Sequence, residues 1–263
     1  MRDFNSCEDR LAIDGPALSF TGVSKAFGDG HQALADVSFD VAPGEFCVVL
    51  GASGSGKTTL LRMVNGLVDV SGGEIAVTGE RLSTANMARV RRKIAMIHQQ
   101  FNLIERLSVA QNVMAGTLAQ QTVWRAMIKL YPRSVQNKAL ELIKRVGLGA
   151  DHVNRRAARL SGGQQQRVAI ARALMCDPAV ILADEPVASL DPKIAHDVLG
   201  LIREAARERG AAVLCSLHQP DLARQYGDRI VALHQGVVVF NGPPSALSGD
   251  VLHQIYHMSA PAA

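Results

Sequence analysis

The segment Gly51-Ala52-Ser53-Gly54-Ser55-Gly56-Lys57-Thr58 constrains this chain more than any other stretch. It follows an apolar run, Phe46-Cys47-Val48-Val49-Leu50, of the length of a short buried strand. After it, Leu60, Leu61, Val64 and Leu67 recur on one face of a predicted helix. Strand, glycine loop and helix make one α/β unit, and the loop fits the pattern G-x-x-x-x-G-K-[ST]. Glycines let backbone amides converge on anionic oxygens at a helix start, where N–H groups lack helical partners. The segment from Gly51 to Thr59 is therefore expected to cradle phosphate. Lys57 would sit at the β- and γ-phosphates, and the Thr58 hydroxyl would face Mg²⁺.

A second α/β unit supplies acids. Ala179 to Ala183 reads as a nearly all-apolar strand, and Asp184 and Glu185 follow it directly. Open α/β sheets bind ligands at the carboxyl ends of their strands, so this is where a metal-binding and a water-orienting acid belong. Two acids after a strand also serve as helix caps, but the Lys57 loop makes them the candidate metal and catalytic residues.

Around these units the predicted order is a strand from Ala17 to Phe27, a turn at Gly28-Asp29-Gly30 and an alternating stretch from Leu34 to Val41. Short strands are expected at Glu74–Val77 and Ile94–Ile97, with a charged helix over Met87–Lys93 between them. From about 102 to 160 the texture is helical, including Leu107–Met114 and Val135–Val146. Helices are expected at Gln164–Met175 and Pro192–Arg209, a strand at Ala211–Cys215, and a final hairpin around Gln235-Gly236. Continuous apolar strands flanked by helices predict a mostly parallel sheet covered on both faces.

The 263 residues are 48% hydrophobic and 20% charged, enough apolar material for a sizeable core, with some left for a partner. The basic run Arg89, Arg91, Arg92 and Lys93 lacks interleaved aromatics, and only seven Phe, three Tyr and one Trp occur in all. A net charge of +4 with no aromatic platform argues against a nucleic-acid partner. Cys7, Cys47, Cys176 and Cys215 are far apart, without metal-ligand spacing, as expected of packing residues in a reducing compartment. The polar start, Met1-Arg2-Asp3-Phe4-Asn5-Ser6, precedes no signal segment, and no run approaches the roughly 18 apolar residues of a membrane helix. The chain is expected in the cytosol unless a partner holds it to a membrane.

At Leu160-Ser161-Gly162-Gly163-Gln164 the chain resembles the ATP-binding cassette ATPases, whose signature motif is this run. The resemblance spans nearly the whole sequence and implies a P-loop NTPase core with an antiparallel β subdomain and an inserted helical subdomain. It places the ATPase domain at 16–250, the helical subdomain at about 102–160, and a tail at 251–263. ATP and Mg²⁺ are the implied cofactors. By resemblance Phe27 stacks on adenine, Gln99 links metal and attacking water to the transport domain, and His218 contacts the γ-phosphate. Ser161, Gly162, Gly163 and Gln164 reach the nucleotide of a facing second copy, and Ser189-Leu190-Asp191 crosses the interface. Thr58, Gln99 and Asp184 are the implied metal residues, and Glu185, His218, Gln99 and Lys57 the implied catalytic ones.

A finer resemblance lies in Gln99-Gln100-Phe101-Asn102-Leu103, which is similar to the phosphonate import ATPase branch. It implies phosphonate or phosphite as cargo, a head-to-tail ATPase pair, two integral membrane subunits, a solute-binding protein and a peripheral place on the cytoplasmic face. His98 departs from that branch, which commonly has an aromatic before the glutamine. The alternatives are an importer of another small solute, such as an amino acid, and a non-transport cassette ATPase. The last class usually carries a coiled-coil insertion or two fused cassettes, for which 263 residues leave no room.

Overall fold

The computed structural model describes residues 15–28, 30–120 and 131–257. The polar leader with Cys7, Asp29 of the first turn and residues 258–263 of the expected tail lie outside the described residues.

The phosphate-loop strand β3 (Phe46–Leu50) is buried at every position. So are β7 (Val180–Asp184) and β8 (Ala212–Leu217). Such strands need cover on both faces. With β6 (Ile94–Ile97), β9 (Arg229–His234) and β10 (Val237–Gly242) they form a six-stranded sheet in the order β10-β9-β3-β8-β7-β6. All its pairs are parallel except β9 with β10. Alternation along the strands divides the core. Cys47, Val49, Leu182 and Leu214 join one buried cluster, and Val48, Leu50, Ile181 and Val213 the other.

The first cluster is closed by α1 (Lys57–Val64) and by a four-stranded antiparallel sheet, ordered β2-β1-β4-β5. Its strands are β1 (Leu18–Ala26), β2 (Gln32–Val41), β4 (Gly72–Val77) and β5 (Glu80–Arg81). The two-residue β5 carries no alternation long enough to read from sequence. The charged helix is shorter than expected: α2 covers Met87–Val90, and Arg91–Lys93 tightens into a 3₁₀ turn.

The second cluster is closed by helices. α3 (Val109–Met114) and α4 (Arg133–Arg145) lie in the 102–160 region, and α5 (Gly162–Leu174) and α6 (Pro192–Arg209) follow it. Val113, Leu142 and Ile143 share one cluster with Ile170 and Leu174, so the helical region packs continuously with the core. α5 begins two residues before the expected Gln164. Ser161 and Gln164 form a reciprocal capping box that draws both glycines into the first helical turn.

α7 (Pro220–Tyr226) lies where no helix is predicted, and the stretch from Pro243 on, expected to be helical or irregular, holds α8 (Gly249–His257). The domain end expected at residue 250 falls inside α8, whose Ile255 is fully buried in the core. The sequence there shows too short an apolar pattern to separate a docked helix from a tail. No described helix is long and apolar enough to cross a membrane.

The loop between β6 and α3 is pinned by two side chains, Arg172, which donates to the carbonyls of Phe101 and Asn102, and Asn112. Buried Asn112 accepts from the Ile104 amide at 2.8 Å and donates to the carbonyls of Ile104 and Ser108, both at 3.1 Å. Asn112→Ala strands these backbone groups and should cost about 1–3 kcal/mol. A lower urea midpoint at an unchanged m-value is the expected result; an unaltered midpoint contradicts the pinning.

Candidate active site

β3 ends where the loop begins, and α1 starts at Lys57 with Gly56 as its N-cap. Gly56 has φ 103°, which side chains rarely adopt, and a Cβ there would lie 2.6 Å from the Ala33 carbonyl oxygen. At Gly51 a Cβ would lie 2.5 Å from the Leu233 carbonyl oxygen. Glycine is thus required at both ends of the loop by close backbone approach. No side chain caps α1 and no acid stands in its first turn. Its leading amides and the positive end of its dipole therefore suit an anion. Among the described residues the buried Ser55 hydroxyl finds no hydrogen-bond partner, so a ligand oxygen can satisfy it.

Lys57 is nearly fully buried, and its Nζ donates at 2.9 Å to the carbonyls of both Gly51 and Ala52. Burial draws its pKa down, against the charges of Glu185 and Asp184. The ammonium is held over the loop by two neutral acceptors, which an anionic oxygen can replace with gain.

The parallel register sets Asp184 opposite Ser216 on β8. Asp184 Oδ1 accepts from Thr58 Oγ1 at 3.0 Å and from Ser216 Oγ at 2.9 Å. Ser216 Oγ in turn accepts from the Glu185 amide at 2.9 Å. Sequence reasoning missed Ser216. Its signal was a lone hydroxyl inside an otherwise apolar strand, fully buried and thus in need of a partner.

Glu185 has φ 46°, a left-handed conformation that costs a residue with a Cβ about 1–3 kcal/mol. Its Oε1 lies 2.5 Å from His218 Nε2. His218 stands one residue past β8, so two neighbouring strand ends deliver the pair.

A cavity of about 260 Å³ connects Phe27, Ser53, Lys57, Thr58 and Glu185. Phe27 is 40% exposed, with the Lys25 ammonium 5.1 Å from its ring centroid, so an aromatic surface borders the phosphate cradle. A larger cavity of about 420 Å³, between the end of α1 and β4, includes none of the expected site residues.

Lys57, Thr58, Asp184, Glu185 and His218 therefore meet in one place, with Phe27 at its edge. Gln99 does not line the cavity; it is exposed two residues past β6, whose Ile97 is paired with Ala183. Gln100 is exposed as well. At His98, burial and the charge of Arg172 lower the pKa while Asp184 opposes them, so this side chain feels the site's charge. Ser161 and Gly162 are exposed at the start of α5 and do not line the cavity either. Asp191 caps α6 by accepting from the Ile194 amide at 3.1 Å, and Leu190 packs against the core.

A family profile described as "ABC transporter" matches residues 34–188. The chain is 50% identical over 241 residues to the phosphonates import ATP-binding protein PhnC of Hydrogenovibrio crunogenus, covering 92% of this chain and 89% of that protein. PhnC of Staphylococcus aureus is 43% identical over 242 residues, covering 91% and 94%. Among solved structures, the ATP-binding cassette MJ0796, dimeric in a post-hydrolysis state bound to ADP and Pi, is similar with a TM-score of 0.75. It is 33% identical, covering 86% of this chain and 98% of that one. CbiO1 of Clostridium perfringens, part of the ABC transporter complex cbiONQ, gives a TM-score of 0.79 at 26% identity, covering 91% and 93%.

Because a Cβ at Gly56 meets a backbone oxygen and the φ is unfavourable, Gly56→Ala should destabilise the chain by about 1–3 kcal/mol. It should also weaken nucleoside triphosphate binding at least about tenfold by distorting the cradle. Urea unfolding and equilibrium titration with ATP check both; wild-type values would show that the loop tolerates the added carbon.

Proposed function

This chain belongs to the ABC transporter family, and we propose that it is the ATP-hydrolysing subunit that energises import of phosphonate or a related phosphorus oxyanion such as phosphite. The observation that carries the ATPase reading is one cavity lined by Lys57, Thr58 and Glu185, with Asp184 hydrogen-bonded to Thr58 and His218 to Glu185. The cargo reading is supported by 43–50% identity to proteins named for phosphonate import over about nine-tenths of the chain.

In this reading the cradle from Gly51 to Thr59 takes the phosphates, and Lys57 faces the β- and γ-phosphate oxygens. Phe27 offers its exposed face to adenine. Thr58 and Asp184 would hold Mg²⁺, with Gln99 as a further ligand. A hydroxyl and a carboxylate are the hard oxygen donors this ion takes. Among the described residues no cluster of three acids, histidines or cysteines could hold a metal alone, in keeping with an ion that shares its ligands with phosphates. When bound, Mg²⁺ supplies charge neutralisation at the transferring oxygens.

Glu185 would orient or deprotonate the water that attacks the γ-phosphate in line. His218, 2.5 Å from that carboxylate, fixes its direction and can donate to a developing phosphate oxygen. Gln99 would join in positioning the water. The start of α5, with exposed Ser161 and Gly162 followed by Gly163 and Gln164, would cover the nucleotide of a second copy arranged head to tail. The similar MJ0796 cassette is a dimer. Two membrane-spanning subunits, fed by a solute-binding protein, would hold the pair to the cytoplasmic face, with the 101–116 region as the relay from Gln99.

Reconstitution with candidate membrane and solute-binding subunits tests this function. Phosphonate or phosphite should stimulate both uptake and ATP turnover, and Glu185→Gln should abolish most turnover while retaining ATP binding. Uptake of an amino acid alone would reject the cargo; full activity on a soluble target without any membrane subunit would reject transport.

The composite site gives a separate expectation. Ser161→Arg, on the exposed start of α5, should leave ATP bound to the local cradle but prevent ATP-dependent dimerisation, as seen by light scattering. A variant that still dimerises and hydrolyses ATP normally would remove these residues from the interface.

A further inference from the structure

We propose that Tyr256, on the last described helix, is a positioning residue for His218, holding the histidine loop where its imidazole meets Glu185. This rests on the reading that His218 and Glu185 act together at the γ-phosphate.

The sheet leaves the histidine loop unsupported at the point that matters. Pairing of β8 with β3 ends at Leu50 and Leu217, one residue before His218. Two residues beyond it, Pro220 opens α7 and has no amide hydrogen to contribute. Past the end of that ladder, the His218 carbonyl accepts from the Tyr256 hydroxyl at 2.8 Å. Burial pushes the Tyr256 phenol up, so the hydroxyl stays protonated, and a donor, throughout the neutral range.

A brace must itself be fixed, and α8 is. Ile255, the neighbour of Tyr256, is fully buried in the main core. The Ile255 carbonyl accepts from His234 Nδ1 at 2.9 Å, which places a proton on that nitrogen. His234 ends β9, and in the turn that follows the Gly236 amide donates at 3.1 Å to the carbonyl of Ser55 in the phosphate cradle. One helix is thereby tied both to the histidine loop and to the turn that touches the cradle. The His218–Glu185 distance of 2.5 Å depends on two loops of separate strands. A misplacement near 1 Å in such a pair costs up to about 100-fold in rate.

Tyr256→Phe in the full-length chain keeps the ring and removes the hydroxyl. The kcat for ATP should fall about tenfold, as for loss of one hydrogen bond, while the KM for ATP stays within about twofold. The ring ¹⁵N resonances of His218, assigned by their loss in His218→Ala, should shift or broaden, which lost packing elsewhere would not cause. On the residual single-turnover rate of His218→Ala, adding Tyr256→Phe should have no further effect. An unchanged kcat with unchanged His218 resonances overturns the proposal, as does an equal fractional loss with and without His218. Wild-type turnover that disappears in Glu185→Gln keeps the parent reading in place whichever way Tyr256 falls. Wild-type turnover in His218→Ala would sink the parent reading and the proposal together.

Discussion

A single carboxylate oxygen joins the parts on which this architecture depends. Asp184 Oδ1 accepts hydroxyl hydrogens from Thr58 at the start of α1 and from Ser216 on β8, while its own backbone ends β7. Helix start and two strand ends are thereby locked at one edge of the parallel sheet. A carboxylate only 8% exposed persists because these donors replace part of its water shell. Lys57, a cation that feels the charge of Asp184, is itself partly desolvated and turned toward the carbonyls of its loop. Two carboxylates and one ammonium leave the site short of positive charge for a polyphosphate. Electrostatics therefore favours the entry of nucleotide together with a divalent cation.

Geometry beyond that joint is held under tension. Glu185 sits at φ 46° in a conformation that a residue with a Cβ avoids, and its amide is secured by Ser216. Its carboxylate then finds His218 across the strand ends. Backbone strain persists only where the surroundings over-determine it, and here the fully buried strands β7 and β8 supply that rigidity. The last described helix extends the same logic to the histidine loop, which it reaches through Tyr256.

The exposed features point outward. Ser161 and Gly162 open a well-capped helix at the surface, and the capping box accounts for its stability. Packing accounts for buried Gly163, where a Cβ would lie 2.9 Å from Ile194, whereas Ser161 and Gly162 stay open to the close approach of a ligand or partner. The proposed head-to-tail pair gives them that use, and places part of each site's chemistry on a neighbour.

Much of this was legible in the sequence because it is encoded over short spans. The glycine loop, the apolar run before the two acids, and the Ser161 to Gln164 cap each lie within about ten residues, where backbone geometry and local hydrogen bonds decide the outcome. The sequence by itself therefore determined the α/β class and the mostly parallel sheet, and it put the glycine loop at a helix start and the two acids at a strand end. Contacts between distant residues were beyond it. Ser216 meets Asp184 only through strand register, the Glu185 to His218 contact needs two strand ends side by side, and Tyr256 reaches His218 because Ile255 anchors a helix that sequence takes for a tail. Those pairings depend on which surfaces are buried together, a property of the whole packed chain that no short window of residues contains.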